Sequence, residues 1–175
     1  FKLKHAIDTG SVLLQKEMNI FKEDSASDLH DRMMYLAADT VLESVQLIES
    51  RQFDLKEQDD KHVSHAPKLN KDNTKINFDQ SAETVYNFIR GLSAYPGAWF
   101  ELNNSAVKIF RAELSGQVKN EKPGTLLTDN KSFIRIACKD HYIEIKELQY
   151  PGKRKMEVTS FLNGFDLEAE LKDIN

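Results

Sequence analysis

Five short segments between residues 98 and 150 alternate apolar and polar residues, and this pattern most restricts how the chain can fold. Alternation with period two predicts strands that bury one face. The segments are 98–102 (AWFEL), 106–114 (AVKIFRAEL), 124–129 (GTLLTD), 132–138 (SFIRIAC) and 141–150 (HYIEIKELQY). The pairs Asn103-Asn104, Asn130-Lys131 and Lys139-Asp140 are typical of hairpin turns. Short strands with tight turns predict a small closed or partly open barrel.

A long amphipathic helix is predicted from residue 25 to residue 50. Ser25 is a candidate N-cap, with the acidic Asp28 three residues later. Apolar residues then recur at helical spacing on one face. They are Leu29, Met33, Leu36, Ala37, Val41, Val45 and Ile48.

Two further helices and two further strands follow from the same criteria. Asp79 is the expected N-cap of a helix over 81–92. Its inward residues are Val85, Phe88, Ile89 and Leu92. Residues 155–164 predict a short closing helix that stops at Asn163-Gly164. Residues 1–4 and 12–20 predict short strands on either side of a turn.

The chain divides by composition into two parts joined by a polar segment. Residues 51–80 contain few large apolar residues, and we expect a linker lying on a surface. Two strands and one helix leave both faces of a sheet uncovered, so residues 1–50 predict the end of a larger open α/β sheet. The chain also begins without methionine, so we expect either a fragment or a missing start.

Composition excludes several classes of protein. No apolar run reaches the roughly 18 to 20 residues of a membrane span, and the first residues lack the apolar core of a signal peptide. A single cysteine, Cys138, allows no internal disulfide, and we expect a cytoplasmic protein. Residues 61–165 carry 16 Lys and Arg against 11 Asp and Glu, whereas both flanking segments are acidic. A weakly basic middle permits a polyanionic partner.

The Asp8-Thr9-Gly10 turn, here called the DTG loop, allows two interpretations from the residues alone. It resembles the catalytic loop of aspartic proteases, but those enzymes need two such carboxylates, and the helix over 25–50 replaces the expected all-β lobe. In the alternative, the loop is an ordinary turn in which aspartate caps the backbone and glycine supplies a positive φ.

Several separated motifs together resemble the bacterial methionyl-tRNA formyltransferase family, over essentially the whole chain. The motifs are DTGSVLLQKEMNI (8–20) with SASDLHDRM (25–33), HAPKLNKDNTKINFDQSAETVYNFIRGLSAYPGAWFEL (65–102), and PGTLL (123–127) with IKELQYPGKRKM (145–156). Phe78 and Ser93-Ala94-Tyr95 depart from the family's usual Trp and Asn-Pro-Trp but keep an aromatic in each place. The family's catalytic Asn and His, and its Ser-Leu-Leu-Pro folate loop, would lie upstream of Phe1.

The resemblance implies an α/β remnant, the last strands and helix of a Rossmann-like formyltransferase domain (1–50), then a linker (51–80) and a small OB-like β-barrel (81–175). It implies formyl transfer from 10-formyltetrahydrofolate, bound mainly upstream, to the amino group of initiator methionyl-tRNA. Asp8 would be the catalytic aspartate that orients and charges the His, while Thr9 and Gly10 shape the loop. No metal, membrane or protein partner is implied, and we expect the isolated 175 residues to be inactive.

Basic residues are the candidates for tRNA binding, because lysine and arginine neutralise phosphates. They are Lys68, Lys71 and Lys75 in the linker, Arg90 in the second helix, and Lys153, Arg154 and Lys155 after the last strand. A run of basic residues is also typical of a solvated loop. Two other functions therefore stay open: an amino-sugar-nucleotide formyltransferase, which shares the DTG loop, and a non-catalytic RNA-binding module.

A few other residues have weaker functional interpretations. His62 and His65 lie three apart but have no acidic or thiol partner at ligand spacing, which disfavours a metal site. His5 is most simply a loop residue. Trp99 could stack on a nucleobase, but its place at the start of a strand favours the core. Cys138 is most simply a small buried apolar residue.

Overall fold

The computed structural model describes residues 1–6, 8–118 and 120–167, which form two compact units. The first unit comprises Phe1–Asp24 and Asp28–Lys68, and the second comprises Ser25–Ser27 and the described residues from Leu69 onward. Within these residues, no helix combines the length and the hydropathy that a membrane-spanning segment requires.

Helix α1 (Ala26–Ser50) confirms the predicted long helix. None of its residues is buried, and its apolar stripe is exposed: Met33 is 51% and Val41 64% accessible. An amphipathic helix normally packs such a stripe against another surface. In the first unit the described residues leave the stripe uncovered. A short 3₁₀ helix (Asp60–His62) follows, with the Asp59 carboxylate accepting a hydrogen bond from the Lys61 amide.

The strands predicted over 1–4 and 12–20 are wrong for this chain. The only β-bridge that these segments form in the described residues joins Val12 and Lys56, with N–H···O distances of 2.7 and 2.9 Å. A strand persists only where a neighbouring strand pairs with its backbone groups. In the described residues, these two segments have no neighbouring strand to pair with beyond this bridge.

The second unit contains an antiparallel sheet of six strands. They are β1 (Ala98–Leu102), β2 (Ser105–Val118), β3 (Leu126–Thr128), β4 (Ile134–Ala137), β5 (His141–Gln149) and β6 (Met156–Glu157). Their order is β1-β2-β5-β4-β3, with β6 paired to β5. All five predicted strands are present. The closing helix predicted over 155–164 begins only at Val158, because Met156–Glu157 form strand β6 paired to β5. The β1–β2 turn uses positive φ at Asn103 and Asn104, as the hairpin prediction requires.

Helix α2 (Ala82–Leu92) and helix α3 (Val158–Leu162) cover the sheet. The N-cap of α2 is Ser81 and not Asp79, because the Ser81 hydroxyl accepts a hydrogen bond from the Thr84 amide. The first helical amide, that of Ala82, donates to the Asp140 carboxylate at 2.7 Å. Both caps satisfy amides that the helix itself cannot pair.

The core of the second unit lies between the helices and one face of the sheet. Its fully buried side chains are mostly branched, and each contributes about 1.5 to 3 kcal/mol by leaving water. They include Val85, Ile89, Ile109, Ile134, Ile143, Ile145 and Leu148. Phe88 is only partly buried, and Tyr86 takes a buried place that was not predicted. The sheet forms a curled half-barrel, which confirms a barrel-like domain.

Candidate functional site

The DTG loop is held by side-chain hydrogen bonds at both ends. Thr9 donates its hydroxyl to the carbonyl of Ala6 at 2.9 Å. Asp8 has a φ of 58°, so the left-handed conformation belongs to the aspartate itself. Aspartate is among the few residues other than glycine that tolerate this conformation. Its carboxylate is exposed and lines a cleft of about 630 Å³ in the first unit.

There is no room for a side chain at position 10, so glycine is required there. The expectation that Gly10 supplies a positive φ is wrong. Glycines with positive φ in the described residues are Gly97, Gly124 and Gly152. A Cβ built on Gly10 would lie 2.1 Å from the backbone oxygen of Lys2. The neighbouring Lys2 amide donates to the Ser11 carbonyl at 2.9 Å, which fixes the two segments at this close distance. Glycine is therefore the residue that lets the first residues pass directly over the loop.

Gln58, which the sequence analysis did not single out, is the main anchor of the loop. Its side-chain amide donates to the carbonyl of Asp8 at 2.8 Å and to that of Gly10 at 2.7 Å. The Val12–Lys56 bridge brings Gln58 to this place. A glutamine in a polar segment carries no signal in the sequence, because the contact spans about 50 residues. The segment 56–58 thus belongs structurally with the DTG loop.

The cleft around Asp8 is polar. Besides Asp8 it is lined by Val12, Gln15, Lys56, Glu57, Gln58, Asp59, His62, Val63 and Ser64. His62 lies 3.2 Å from Asp59, and within the described residues no group of three or more His, Cys, Asp or Glu is placed to hold a metal ion. Most of the lining residues carry charged or amide side chains, which can hydrogen-bond polar groups of a ligand.

Trp99 is buried, as its place at the start of a strand favoured, although it lies outside the main core cluster. Ala98 and Phe100 join the core cluster, so Trp99 between them lies on the opposite face of β1. It anchors the linker there: its indole N–H donates to the Lys71 carbonyl at 2.8 Å. The Lys71 and Lys75 ammonium groups lie 5.2 and 5.1 Å from the ring centroid.

The other basic candidates differ in how strongly they are already paired. Lys75 lies 3.1 Å from Glu101, and Lys155 lies 2.9 Å from Glu147. Arg90 donates to Asn87 and lies over the ring of Tyr86. Lys153 and Arg154 are exposed on the turn after β5. Lys68 is exposed in the first unit.

The remaining candidates have simple structural roles. Cys138 is fully buried, which confirms its prediction as a small buried residue. His5 is exposed near the DTG loop. Tyr95, the aromatic residue of the Ser93-Ala94-Tyr95 motif, is 88% exposed.

The sequence of the second unit matches a known protein family. Residues 68–166 match the family described as formyl transferase, C-terminal domain. This match covers more than half of the chain, including all six strands and the helices α2 and α3. The chain therefore belongs to the formyl transferase family through this C-terminal domain.

Curated proteins to which this chain is similar are named methionyl-tRNA formyltransferase. The protein of Bacteroides fragilis is 38% identical over 98% of this chain, and that of Flavobacterium johnsoniae is 37% identical over the same share. In both cases the matched region is 56% of the relative's own length. The chain thus spans little more than half of the relatives it matches.

Solved structures show the same fold at lower identity. A variant of HypX from Aquifex aeolicus superposes with a TM-score of 0.68 at 20% identity, covering 94% of this chain and 30% of HypX. WlaRD, a sugar 3N-formyl transferase crystallised with dTDP and 5-N-formyl-THF, superposes with a TM-score of 0.60 at 20% identity, covering 87% of this chain and 53% of its own. At this identity, the likeness concerns the fold.

Proposed function

We propose that this chain is the C-terminal part of a cytoplasmic methionyl-tRNA formyltransferase, which formylates the amino group of initiator methionyl-tRNA. The observation that carries the proposal is the 38% identity to a protein of that name along 98% of the chain. The matched region spans the DTG loop, the KLNK segment (68–71) and the PGKRK turn (151–155), which contain the candidate catalytic and tRNA-binding residues. The formyl carbon comes from 10-formyltetrahydrofolate.

In this proposal, residues 1–50 are the end of a Rossmann-like catalytic domain, 51–80 a linker, and 81–175 an OB-like tRNA-binding domain. The exposed apolar stripe of α1 supports the first assignment, because a helix of this kind is stable when a sheet covers its stripe. The antiparallel half-barrel with its basic turn supports the last.

Asp8 is assigned the role of orienting a catalytic histidine. Attack by the methionyl amine requires a base to take its proton and donors to stabilise the developing oxyanion. In the family a His and an Asn do this, in a part that the present chain does not span. A carboxylate that accepts the second N–H of the imidazole fixes its tautomer and favours its charged form. The anchored, exposed carboxylate of Asp8 suits this role, while Thr9 and Gly10 hold its loop.

The second unit is assigned to tRNA. Affinity for a polyanion comes from ammonium and guanidinium groups that displace counterions from phosphates. Lys153, Arg154 and Lys155 on the PGKRK turn are exposed and form one cluster, in which Lys155 is paired with Glu147. Lys68, Lys71 and Lys75 form the other cluster along the chain, and Arg90 is a further candidate.

A chimeric enzyme tests the proposal. The N-terminal part of the Bacteroides fragilis relative is joined to this chain at the DTG loop, and formyl transfer to methionyl-tRNA is measured. We expect turnover in the chimera and a loss of about 100-fold or more in Asp8→Asn, in line with the effect of removing an orienting carboxylate. Asp54→Asn, an exposed carboxylate in the same unit, is the matched control.

Two results would contradict this assignment. Near-normal turnover in Asp8→Asn would refute the role assigned to Asp8. If the chimera formylates a nucleotide-linked amino sugar but not methionyl-tRNA, the amino sugar nucleotide replaces methionyl-tRNA as the proposed substrate.

A further inference from the structure

A second cavity lies in the second unit, on the face of β1 that points away from the core. Its volume is about 330 Å³, which falls in the range of small-molecule sites. The lining residues that matter here are Leu69, Lys71, Pro96, Gly97, Trp99 and Lys108. The cavity is separate from the cleft around Asp8, which belongs to the first unit.

The walls of this cavity are apolar and held in place. Pro96, Gly97 and Trp99 come from the segment that enters β1, and Leu69 comes from the KLNK segment. The Trp99 indole donates to the Lys71 carbonyl of the KLNK segment at 2.8 Å, and the Ile76 amide, a few residues further on, donates to the Trp99 carbonyl at 2.7 Å. The Trp99 amide also donates to the Thr74 carbonyl at 3.1 Å. A fixed apolar wall loses little entropy when it receives a flat group.

Positive charge surrounds the apolar walls. Lys71 and Lys108 line the cavity, and Lys75 lies 5.1 Å from the Trp99 ring. Glu101 is a nearby carboxylate and pairs with Lys75. Lys108 donates to the Pro96 carbonyl at 2.8 Å, which holds its ammonium at the cavity. The complementary ligand therefore has a flat apolar body and carries negative charge.

We infer that this cavity binds one nucleotide of an unpaired RNA strand, with the base against Trp99 and Pro96 and its phosphate near Lys71 and Lys108. This inference rests on the proposed function and names the part of the RNA that one site takes. Trp99 is 9% exposed, so a base packs against the accessible part of its ring and gains a fraction of the roughly 1 to 3 kcal/mol of full stacking, whichever base it is. A paired base is already stacked in its duplex, so only an unpaired nucleotide can enter. An acidic peptide would satisfy the lysines but not the flat apolar wall.

Trp99 makes the test direct, because it is the only tryptophan of the chain. The 175-residue chain is titrated with a four-nucleotide single-stranded RNA while the emission of Trp99 is followed. Saturable quenching is expected. A blunt RNA duplex should bind without this quenching, and poly-glutamate should leave the emission unchanged.

Two pairs of variants locate the binding. Lys71→Ala should weaken single-stranded RNA binding about five- to tenfold, whereas Lys131→Ala, an exposed lysine on the β3–β4 loop, should change it less than twofold. Ala106 lines the same cavity from β2 and is exposed. Ala106→Leu fills the cavity and should weaken binding at least about tenfold, while Ala106→Ser leaves it open. Melting curves of all four variants confirm that they remain folded.

The outcomes separate this inference from the proposed function. If tRNA binds but the emission of Trp99 does not change, and Lys71→Ala behaves like Lys131→Ala, the nucleotide site is overturned while tRNA binding stands. Equal quenching by poly-glutamate also overturns it. If neither tRNA nor single-stranded RNA binds at low salt, both assignments fail.

Discussion

The side chain of Gln58 donates a hydrogen bond to the backbone carbonyl of Asp8, across 50 residues of sequence. The same amide group also bonds the carbonyl of Gly10. One side chain thus fixes the backbone on both sides of Thr9. Because the Asp8 carboxylate is exposed, the direction in which it points depends on this backbone anchor.

Gln58→Ala is expected to loosen the DTG loop without unfolding the first unit. A hydrogen bond contributes about 0.5 to 1.5 kcal/mol, so losing two should raise local opening roughly tenfold. Amide hydrogen exchange at Val12 and Lys56, which pair beside the loop, measures this opening. Gln58→Glu should do at least as much, since a carboxylate cannot donate to carbonyls. Gln52→Ala, an exposed glutamine of the same unit, is the control. Unchanged exchange in Gln58→Ala would refute the anchoring role.

Two glycines of the second unit should respond to alanine in opposite directions. Gly91 lies in α2 with open space around its Cβ position, and alanine there should stabilise the unit by about 0.5 to 1 kcal/mol. Gly97 has a φ of 84°, and its Cβ would lie 3.2 Å from the ring of Phe110. Gly97→Ala should destabilise by roughly 1 to 3 kcal/mol. Urea unfolding of both variants checks the signs, and a stable Gly97→Ala protein would contradict the described backbone.

The PGKRK turn should contribute to tRNA binding unequally along its length. Lys153→Ala with Arg154→Ala should weaken tRNA binding at low salt and reduce the slope of log affinity against log salt by about 2. Lys155→Ala should have a smaller effect, because that ammonium is already paired with Glu147 and lies over Phe110. Filter binding across a salt series gives these slopes, with Lys131→Ala as a control. Equal slopes in all variants would exclude this turn from the interface.

Protonation of Asp140 at acidic pH should lower the free energy of unfolding of the second unit. The hydrogen bond that Asp140 accepts from the Ala82 amide, with further bonds from His141, lowers the pKa of its carboxyl below the ordinary value. A carboxyl whose pKa is lower in the folded state adds stability above about pH 4, the pKa of unfolded aspartate. That stability is lost as the pH falls through the folded pKa. Asp140→Asn keeps an acceptor oxygen but does not titrate.

Unfolding curves between pH 2 and pH 6 measure this effect. The Asn variant should be less stable than the parent near pH 6, and the difference should shrink towards pH 2. Asp79→Asn is a suitable comparison, because Asp79 is exposed and does not cap α2. If the free energy of unfolding of Asp140→Asn differs from that of the parent by the same amount at every pH, protonation of the Asp140 carboxyl is not coupled to folding.

Local patterns predicted much of the architecture. The bounds of α1, the five strands and the Asn103-Asn104 turn followed from periodicity and turn residues, because these depend on neighbours only a few positions apart. The N-cap of α2 was predicted at Asp79, two positions before the observed Ser81, since several polar residues there satisfy the same local rule. The DTG loop was recognisable, although the reason for Gly10 was not: the close approach of Lys2 comes from the path of a separate segment.

The sequence by itself therefore determined most of the segments that become helix or strand, and the motifs that mark the formyl transferase family. Tertiary structure decided what those segments contact. Only the folded chain brings Gln58 to the DTG loop, and only the sheet puts Trp99 on the face opposite the core. Likewise, residues 12–20 were predicted as a strand but form only one bridge, because a strand needs a partner and local sequence cannot supply one. Periodicity records which residues favour burial, whereas long-range pairing decides whether and where that burial occurs.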